Sequence, residues 1–322
     1  MADPAPGKQL GFFSEEGHDF SVVVVDGTPI LLPQVANGRI HFGMANPKPL
    51  VISQAKGIGL PVRFVYNLQG STANELVVRQ DSPIRAIADL KGRKLGIGAL
   101  TWGNASMGRA ILKEHGLEWG KDVEIITIGT GPAAWRQLSS GGVDATWLFF
   151  AEDERMARSG VSIRRVARPA KDVQFPASAV LASEDTIKRR PAMVAGHGRA
   201  IAKSTVACAA APEACARSYW EFDPSTRPAA DKEEDWVKAT VPVALSLQPS
   251  LTYTPERSPQ LWGRFPDPLW RNYADYLTKA DLIPAGSLDP EKLSTGAFVA
   301  EFNRFDPEAV RARAHARAFK AI

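Results

Sequence analysis

The residues best suited to chemistry lie in one short segment, Thr101-Trp102-Gly103-Asn104-Ala105-Ser106. It follows a predicted strand at Lys94–Ile97 and opens a predicted helix over 107–114. Backbone N–H groups at a helix start, joined by a Thr or Ser hydroxyl, bind anions or polar oxygens without a cationic side chain. On residue types alone, an ordinary helix N-cap is the commoner interpretation. The candidate ligand-binding residues of this segment are Thr101, Trp102, Gly103, Asn104 and Ala105.

A second loop of this kind spans residues 129–134, after a predicted strand over 123–128. It matches a Gly-x-Gly-x-x-Ala dinucleotide pattern, with Glu152 about twenty residues further on. However, Pro132 removes an N–H group from the phosphate cradle, and the helix that follows is short for a dinucleotide unit. We therefore interpret Thr130 as part of a ligand cleft rather than of a dinucleotide site.

Aromatic residues stand where the next predicted strand ends. Trp147 and Phe149 alternate along the chain, which places both on one side of the strand at its ligand-facing end. Aromatic runs are more often core, so both interpretations stay open. Glu152 follows them, and if it lined the cleft unpaired it would repel an anion and accept hydrogen bonds from an amine, an amide or a pyrimidine.

The elements that carry these residues repeat at an offset of 103 positions. The repeat predicts two lobes built on one plan, each a βαβ unit. In the first copy the strand is Val22-Val23-Val24-Val25, whose β-branched run predicts a buried parallel strand. A helix from about Ile30, closed by Asn37-Gly38, and a strand over 40–43 follow. Four residue identities support the offset: Gly17 and Gly120, Asp19 and Asp122, Pro29 and Pro132, Gln34 and Gln137.

The repeat also indicates where the first lobe would contact a ligand. Met44-Ala45-Asn46-Pro47 follows Gly43 at the position that corresponds to the end of the second copy. Met44 and Asn46 are therefore candidate ligand-binding residues, although a plain turn into the next helix is the alternative. Between the copies, predicted strands over 63–68 and 75–78 flank a small polar stretch at 69–74 that is typical of a hinge. An extended segment over 175–182 could return to the first lobe.

These boundaries predict a discontinuous first lobe, residues 1–72 and 183–322, and a second lobe of residues 73–182. From Asp185 onward the pattern is helical, interrupted by prolines over 249–268, and these helices are expected to cover the first lobe. The fold class predicted is α/β.

Composition excludes several classes of protein. The chain has 322 residues, 44% of them hydrophobic and 23% charged, which is ordinary globular composition. The formal net charge is +4 and the basic residues are scattered, so nucleic-acid binding is not indicated. No apolar run approaches the length of a membrane span, and the first ten residues hold no signal-peptide core. The five histidines never fall at ligand spacing, so no metal site is expected.

Two cysteines, Cys208 and Cys215, flank the sequence Ala-Ala-Ala-Pro-Glu-Ala. An uninterrupted helix would hold them about two turns apart, beyond disulfide reach. Pro212 should break the helix and could bring them together as a disulfide in an exported protein. Two small buried residues in a helical pair are the alternative.

The order and spacing of several segments resemble the nitrate, sulfonate, taurine and thiamine-pyrimidine binding proteins of ABC importers, a branch of the type II periplasmic binding proteins. The resemblance covers most of the chain. It is carried by Gly11-Phe12-Phe13-Ser14-Glu15-Glu16-Gly17, Ala36-Asn37-Gly38-Arg39-Ile40-His41-Phe42-Gly43, Ser82-Pro83-Ile84, Asp89-Leu90-Lys91-Gly92-Arg93-Lys94-Leu95-Gly96, Gly141-Gly142-Val143-Asp144-Ala145 and Pro212-Glu213-Ala214.

The resemblance implies a two-lobed fold, each lobe a mainly parallel sheet flanked by helices, with a ligand cleft between the lobes. It implies a periplasmic, monomeric solute-binding subunit without cofactor or catalysis, which delivers a small organic molecule to an ABC permease and its ATPase. It also favours ligand binding over simple helix capping as the role of residues 101–106. This segment offers N–H and hydroxyl donors but no Arg or Lys, which suits a ligand with one anionic or carbonyl-like group rather than a multiply charged phosphate. Trp102 or Trp147 would flank a ring-shaped or apolar body, which makes a sulfonate or carboxylate the first expectation and a neutral pyrimidine the second.

An enzyme on the same fold is the alternative from another class. The yeast-type thiamine-pyrimidine synthase resembles this family too, but its cysteine-rich iron-binding motif cannot be formed from Cys208 and Cys215 alone. No Ser/His/Asp or Cys/His constellation is readable from spacing. A transcription regulator would need a helix-turn-helix segment that ten leading residues cannot supply.

Overall fold

The computed structural model describes residues 4–23, 25, 27–70, 75–100, 103–148, 152–166, 176–222, 227–246 and 261–318. The strands are β1 (Phe42–Ala45), β2 (Val62–Gln69), β3 (Glu75–Arg79), β4 (Lys94–Ile97), β5 (Glu124–Thr127), β6 (Ala145–Leu148), β7 (Ile163–Arg165) and β8 (Ser178–Ser183). The helices are α1 (Pro4–Gln9), α2 (Phe12–Glu15), α3 (Thr28–Ala36), α4 (Lys48–Ala55), α5 (Gly103–Glu114), α6 (Gly131–Ser139), α7 (Glu152–Arg158), α8 (Glu184–Arg189), α9 (Pro191–Ala210), α10 (Pro212–Phe222), α11 (Glu233–Ser246), α12 (Asp267–Lys279), α13 (Pro290–Leu293), α14 (Val299–Phe302) and α15 (Pro307–Ala318).

The chain divides into two compact units. Unit 1 comprises Met1–Ser71, Pro176–Pro266 and Asp289–Ile322, and unit 2 comprises Thr72–Phe175 and Asp267–Leu288. This division departs from the predicted lobes in two segments. Residues 176–182 belong to unit 1, because β8 pairs with β1 and β2. Residues 267–288 belong to unit 2, because α12 packs against α5 rather than covering the first lobe.

Unit 1 is built on a three-stranded sheet in the order β1-β8-β2. β8 is central, and its Ala179–Ser183 stretch is buried, as expected for a strand with a neighbour on each side. It runs antiparallel to both neighbours, with Met44 opposite Val180 and Phe64 opposite Leu181. The prediction of a mainly parallel sheet is therefore wrong for unit 1, because the central strand, β8, comes from a later segment of the chain and runs in the direction opposite to both neighbours.

Helices pack on this sheet around a core that includes Phe12, Phe13, Tyr66 and Phe302. The stretch after α2 is tied to α9 by ion pairs, with Arg199 Nη2 lying 2.6 Å and Lys203 Nζ 3.2 Å from the Glu16 carboxylate. Burial acts to raise the pKa of Glu16, but hydrogen bonds from the two cations hold that pKa below its usual range.

Unit 2 is built on a five-stranded mixed sheet in the order β5-β4-β6-β3-β7. β4 runs parallel to β5 and β6, while β3 runs antiparallel to β6 and β7. Fully buried Leu76, Leu95 and Trp147 show that the middle of this sheet is covered on its faces. The α/β class predicted from the sequence is confirmed.

The 103-residue repeat is visible in the structure. Shifted by 103 positions, α3 coincides with α6 and β1 coincides with β6. Gly38 and Gly141, which follow the two helices, both adopt positive φ angles, 77° and 81°. Because this left-handed conformation is open to glycine at little cost, the paired glycines end both helices in the same way.

The repeat fails at its first strand. Val22 and Val23 are 41% and 67% exposed and lie in no strand, and Val24 lies outside the described residues. The prediction of a buried strand over Val22–Val25 is wrong for Val22 and Val23, because no strand of the described chain pairs with them. The corresponding residues of unit 2 form β5, which pairs with β4. The strand predicted over 40–43 begins two residues later, at Phe42.

No described helix is both long enough and apolar enough to cross a membrane. No cluster of three or more His, Cys, Asp or Glu side chains in the described ranges could hold a metal ion.

Candidate ligand-binding site

One edge of the unit 2 sheet collects the starts of three helices. β4, β5 and β6 run parallel, and each leads, at its carboxyl end, towards a helix: α5, α6 and α7. Ile97 pairs with Trp147 and with Thr127, so the three strands end at the same level. In open parallel sheets this edge is where ligands bind, because helix N-termini and their connecting loops converge there.

Glu152, at the start of α7, is a buried carboxylate with three donors. Its Oε2 atom accepts hydrogen bonds from the Gly131 backbone N–H at 2.9 Å and from the Trp135 indole N–H at 3.1 Å. Its Oε1 atom lies 2.7 Å from Nη1 of Arg155, one turn along α7. The carboxylate is thus fully compensated, and the condition under which Glu152 would repel an anion, an unpaired position, is not met.

The same contact changes the interpretation of Thr130. Thr130 precedes α6 in an extended conformation, is exposed, and makes no side-chain hydrogen bond to the helix start. The N–H group that opens α6, that of Gly131, is already bonded to Glu152. The Glu152 carboxylate therefore accepts the N–H group that we expected to bind a ligand oxygen.

The α5 start carries most of the predicted site residues. Thr101 and Trp102 lie outside the described residues, as does the side chain of Asn104. α5 begins at Gly103, and Ala105 is buried in its first turn. Next to it, the Ser106 side chain hydrogen-bonds to the Tyr276 hydroxyl of α12. Burial nevertheless raises the pKa of Tyr276, so the phenol stays neutral and anchors the first turn of α5.

The predicted aromatic wall is only partly described. Trp147 is completely buried within β6, where Leu76 is its partner on β3. The structure therefore favours the core interpretation for Trp147. Phe149 lies outside the described residues. Sequence reasoning missed Trp135, Arg155 and Tyr276; only Arg155 left a local signal, its i,i+3 spacing from Glu152 on one helix face.

In unit 1, the predicted residues Met44 and Asn46 lie at the end of β1. Met44 is 48% exposed. The Asn46 amide donates to the Ala177 carbonyl oxygen at 3.1 Å, and its Oδ1 accepts from the Lys48 backbone N–H at 2.9 Å. Asn46 therefore fixes the turn from β1 into α4 and ties it to the stretch that enters β8. Burial lowers the pKa of the Lys48 amine, a residue that sequence reasoning also missed.

A disulfide joins Cys208 and Cys215 in unit 1, with the two Cα atoms 5.1 Å apart. α9 ends at Ala210 and α10 begins at Pro212, so the break expected at this proline is what brings the cysteines together. The two cysteines line one cavity together with Pro6 of α1, Leu10, and Ala314 of α15.

Comparison with known proteins identifies the family. Residues 6–215 match the family described as NMT1/THI5 like. The chain belongs to the NMT1/THI5-like family. The matched segment includes the α5, α6 and α7 starts of unit 2 and the β1–α4 turn of unit 1. No curated protein shows a significant sequence match to this family member.

Solved structures show the fold of this NMT1/THI5-like chain. A protein from Bordetella bronchiseptica RB50 is 22% identical with a TM-score of 0.63, over 93% of this chain and 91% of that one. The periplasmic aliphatic sulphonate binding protein SsuA from Escherichia coli is 18% identical with a TM-score of 0.57, over 90% and 89%. The desulfurization enzyme DSZB, in a mutant complex with biphenyl-2-sulfinic acid, is 18% identical with a TM-score of 0.58, over 94% and 95%. The chain therefore has the periplasmic-binding-protein fold.

Proposed function

We propose that this chain is the solute-binding subunit of an ABC importer, and that it captures a small organic anion, a sulfonate or a carboxylate, for a membrane permease and its ATPase. The observation that carries the proposal is the convergence of three helix starts at one edge of the unit 2 sheet. Such an edge offers oriented N–H donors and positive helix dipoles to a ligand oxygen, although at α6 the Gly131 N–H is already bonded to Glu152.

The state of Glu152 supports an anionic ligand over a pyrimidine. A buried, unpaired carboxylate would favour a ligand with N–H donors, such as a thiamine-precursor pyrimidine. Here the carboxylate oxygens already accept from Gly131, Trp135 and Arg155, so little acceptor capacity remains for such a ligand. The similarity to a sulfonate-binding protein points to the same ligand class.

A periplasmic location is part of the proposal. The Cys208–Cys215 disulfide is compatible with an oxidising compartment and would be reduced in most cytosols. The fold is shared with a protein described as periplasmic.

The test is a ligand screen on the purified protein by thermal shift, because a bound ligand raises stability by mass action. The panel contains aliphatic and aromatic sulfonates, matched carboxylates, nitrate and pyrimidines. Hits are titrated by calorimetry against wild type and Trp102→Ala. Sulfonate or carboxylate binding that Trp102→Ala weakens supports the proposal. If Trp102→Ala leaves the affinity of every binding compound unchanged, the proposed ligand loop is wrong.

An enzyme on this fold is a second candidate, favoured by the similarity to DSZB. In the disulfide-bonded state neither cysteine offers a thiolate nucleophile, since both sulfurs are used in the Cys208–Cys215 bond. Incubating the protein with biphenyl-2-sulfinic acid and measuring released sulfite distinguishes the two: turnover above a heat-denatured control assigns an enzyme, and stoichiometric binding without sulfite assigns a receptor.

A further inference from the structure

Tyr276 of α12 contacts α5 in its first turn, directly after the predicted ligand-binding residues 101–105. Its hydroxyl group hydrogen-bonds to the Ser106 side chain. Tyr276 is buried, and its neighbour Leu277 is completely buried, so packing holds the phenol ring in one place. The hydrogen bond therefore joins a rigidly held group of α12 to the residue that follows the predicted ligand loop.

Ion pairs join the same two helices at the other end of α5. Lys113 Nζ lies 3.2 Å from both carboxylate oxygens of Asp281, and Lys279 Nζ lies 3.1 Å from Glu114 Oε1. The Lys113 and Asp281 side chains are 56% and 76% exposed, so water and salt screen their attraction. The Tyr276 contact is buried and directional, and of these three contacts it has the most control over where the first turn of α5 lies.

The predicted ligand loop depends on that orientation more than a site built from long side chains would. Residues 101–105 include no Arg or Lys, so their main donors to an anion are backbone N–H groups. A backbone N–H turns only with its own helix, and a hydrogen bond weakens steeply when its angle departs from linearity. A small rotation of the first turn of α5 would thus weaken several ligand contacts together.

We propose that Tyr276 is a positioning residue of the candidate ligand site, which acts through Ser106 to hold the first turn of α5 in the orientation that binds the ligand. This inference rests on the proposed solute-binding function. It gives α12, a helix that the sequence placed over the first lobe, a part in ligand binding by unit 2.

Calorimetric titration compares wild type with Tyr276→Phe, Ser106→Ala, the double variant and Lys279→Gln, using 1-pentanesulfonate, benzenesulfonate and benzoate. Phenylalanine keeps the ring packing and removes only the hydroxyl group. Tyr276→Phe and Ser106→Ala should each bind the anions about three- to tenfold more weakly, as expected for one hydrogen bond, and the double variant no more weakly than either. Lys279→Gln, which removes an α5–α12 ion pair at the far end of α5, is the matched control and should bind like wild type.

Affinity separates positioning from simple stabilisation, because a variant that is destabilised but still folded binds like wild type unless the site itself has changed. Urea unfolding of each variant shows that it is folded at the titration temperature, and Ser106→Ala tests the same bond from the α5 side if Tyr276→Phe does not fold.

The outcomes distinguish the two proposals. If wild type binds an anion and either Tyr276→Phe or Ser106→Ala binds it equally well, or if their losses add in the double variant, the positioning role is wrong and the solute-binding function stands. A loss of the same size in Lys279→Gln leads to the same conclusion. If wild type binds none of the three anions, the anionic ligand class and the role of Tyr276 are both overturned.

Discussion

Acid should destabilise unit 1 through one buried imidazole, that of His197. The side chain is 7% exposed, on α9, and its ring stacks on Phe42 with the centroids 3.9 Å apart and the planes 4° apart. Phe13, Phe20 and His18 surround it. Burial, and to a smaller extent the neighbouring His18, lower the pKa of His197 to about 3.

The sign and size of the effect follow from linkage. The native state holds His197 neutral, whereas the unfolded chain protonates it near pH 6.5. The stability that neutral, buried His197 contributes to the native state is therefore fully present above pH 6.5 and is lost as the pH falls from 6.5 towards 3. A pH of 4.5 is about two units below the pKa of histidine in the unfolded chain, which corresponds to about 2.7 kcal/mol of lost stability. The lowered pKa of His18 acts in the same direction.

The measurement compares urea unfolding, followed by circular dichroism, at pH 7.5 and pH 4.5 for wild type, His197→Phe and His315→Phe. Phenylalanine preserves the stack on Phe42 and cannot titrate, so His197→Phe should lose about 2–3 kcal/mol less than wild type between the two pH values. His315 is exposed on α15 and serves as the control, with a pH dependence like that of wild type. Equal losses in wild type and His197→Phe would refute the reasoning.

Two further perturbations give independent checks. Glu152→Gln should lower the free energy of unfolding by about 1–3 kcal/mol, because the amide replaces one of the two buried carboxylate oxygens that accept from Gly131, Trp135 and Arg155. Chemical denaturation at pH 7.5 measures the change, and an unchanged midpoint would contradict the hydrogen-bond pattern at α6. Reducing the Cys208–Cys215 bond, or replacing both residues with Ser, should cost about 2.5 kcal/mol of stability, because the closed loop is short. Wild type in dithiothreitol and the double Ser variant should both melt at a lower temperature than oxidised wild type, and equal melting of oxidised and reduced wild type would contradict this prediction.

Much of the fold could be predicted from local pattern. The helices α3 and α6 and the strands β1 and β6 follow from hydrophobic periodicity and from glycines such as Gly38 and Gly141, which act within a few residues of the element they end. Pro212 is similar, since it lacks the N–H that would continue α9 and is well accommodated at the first position of α10. These features need no knowledge of distant contacts.

What could not be predicted depends on pairing at long range. A valine run predicts a strand only if another strand lies beside it, and the exposed Val23 has none in the described chain. The membership of residues 267–288 in unit 2 depends on how α12 packs against α5, a contact across more than 150 positions. Hydrophobic patterning within single elements could not predict that α5 and α12, so far apart in the sequence, pack together.

The candidate site shows the same limit at the level of single groups. Glu152 looked like a liability for an anion, because its partners Gly131 and Trp135 lie 21 and 17 positions away and are invisible to helix spacing. Those partners show that Glu152 accepts the Gly131 N–H at the α6 start and that Arg155 compensates its charge. This tertiary hydrogen bond weakens the case for Thr130, while ligand binding by residues 101–105 remains a prediction.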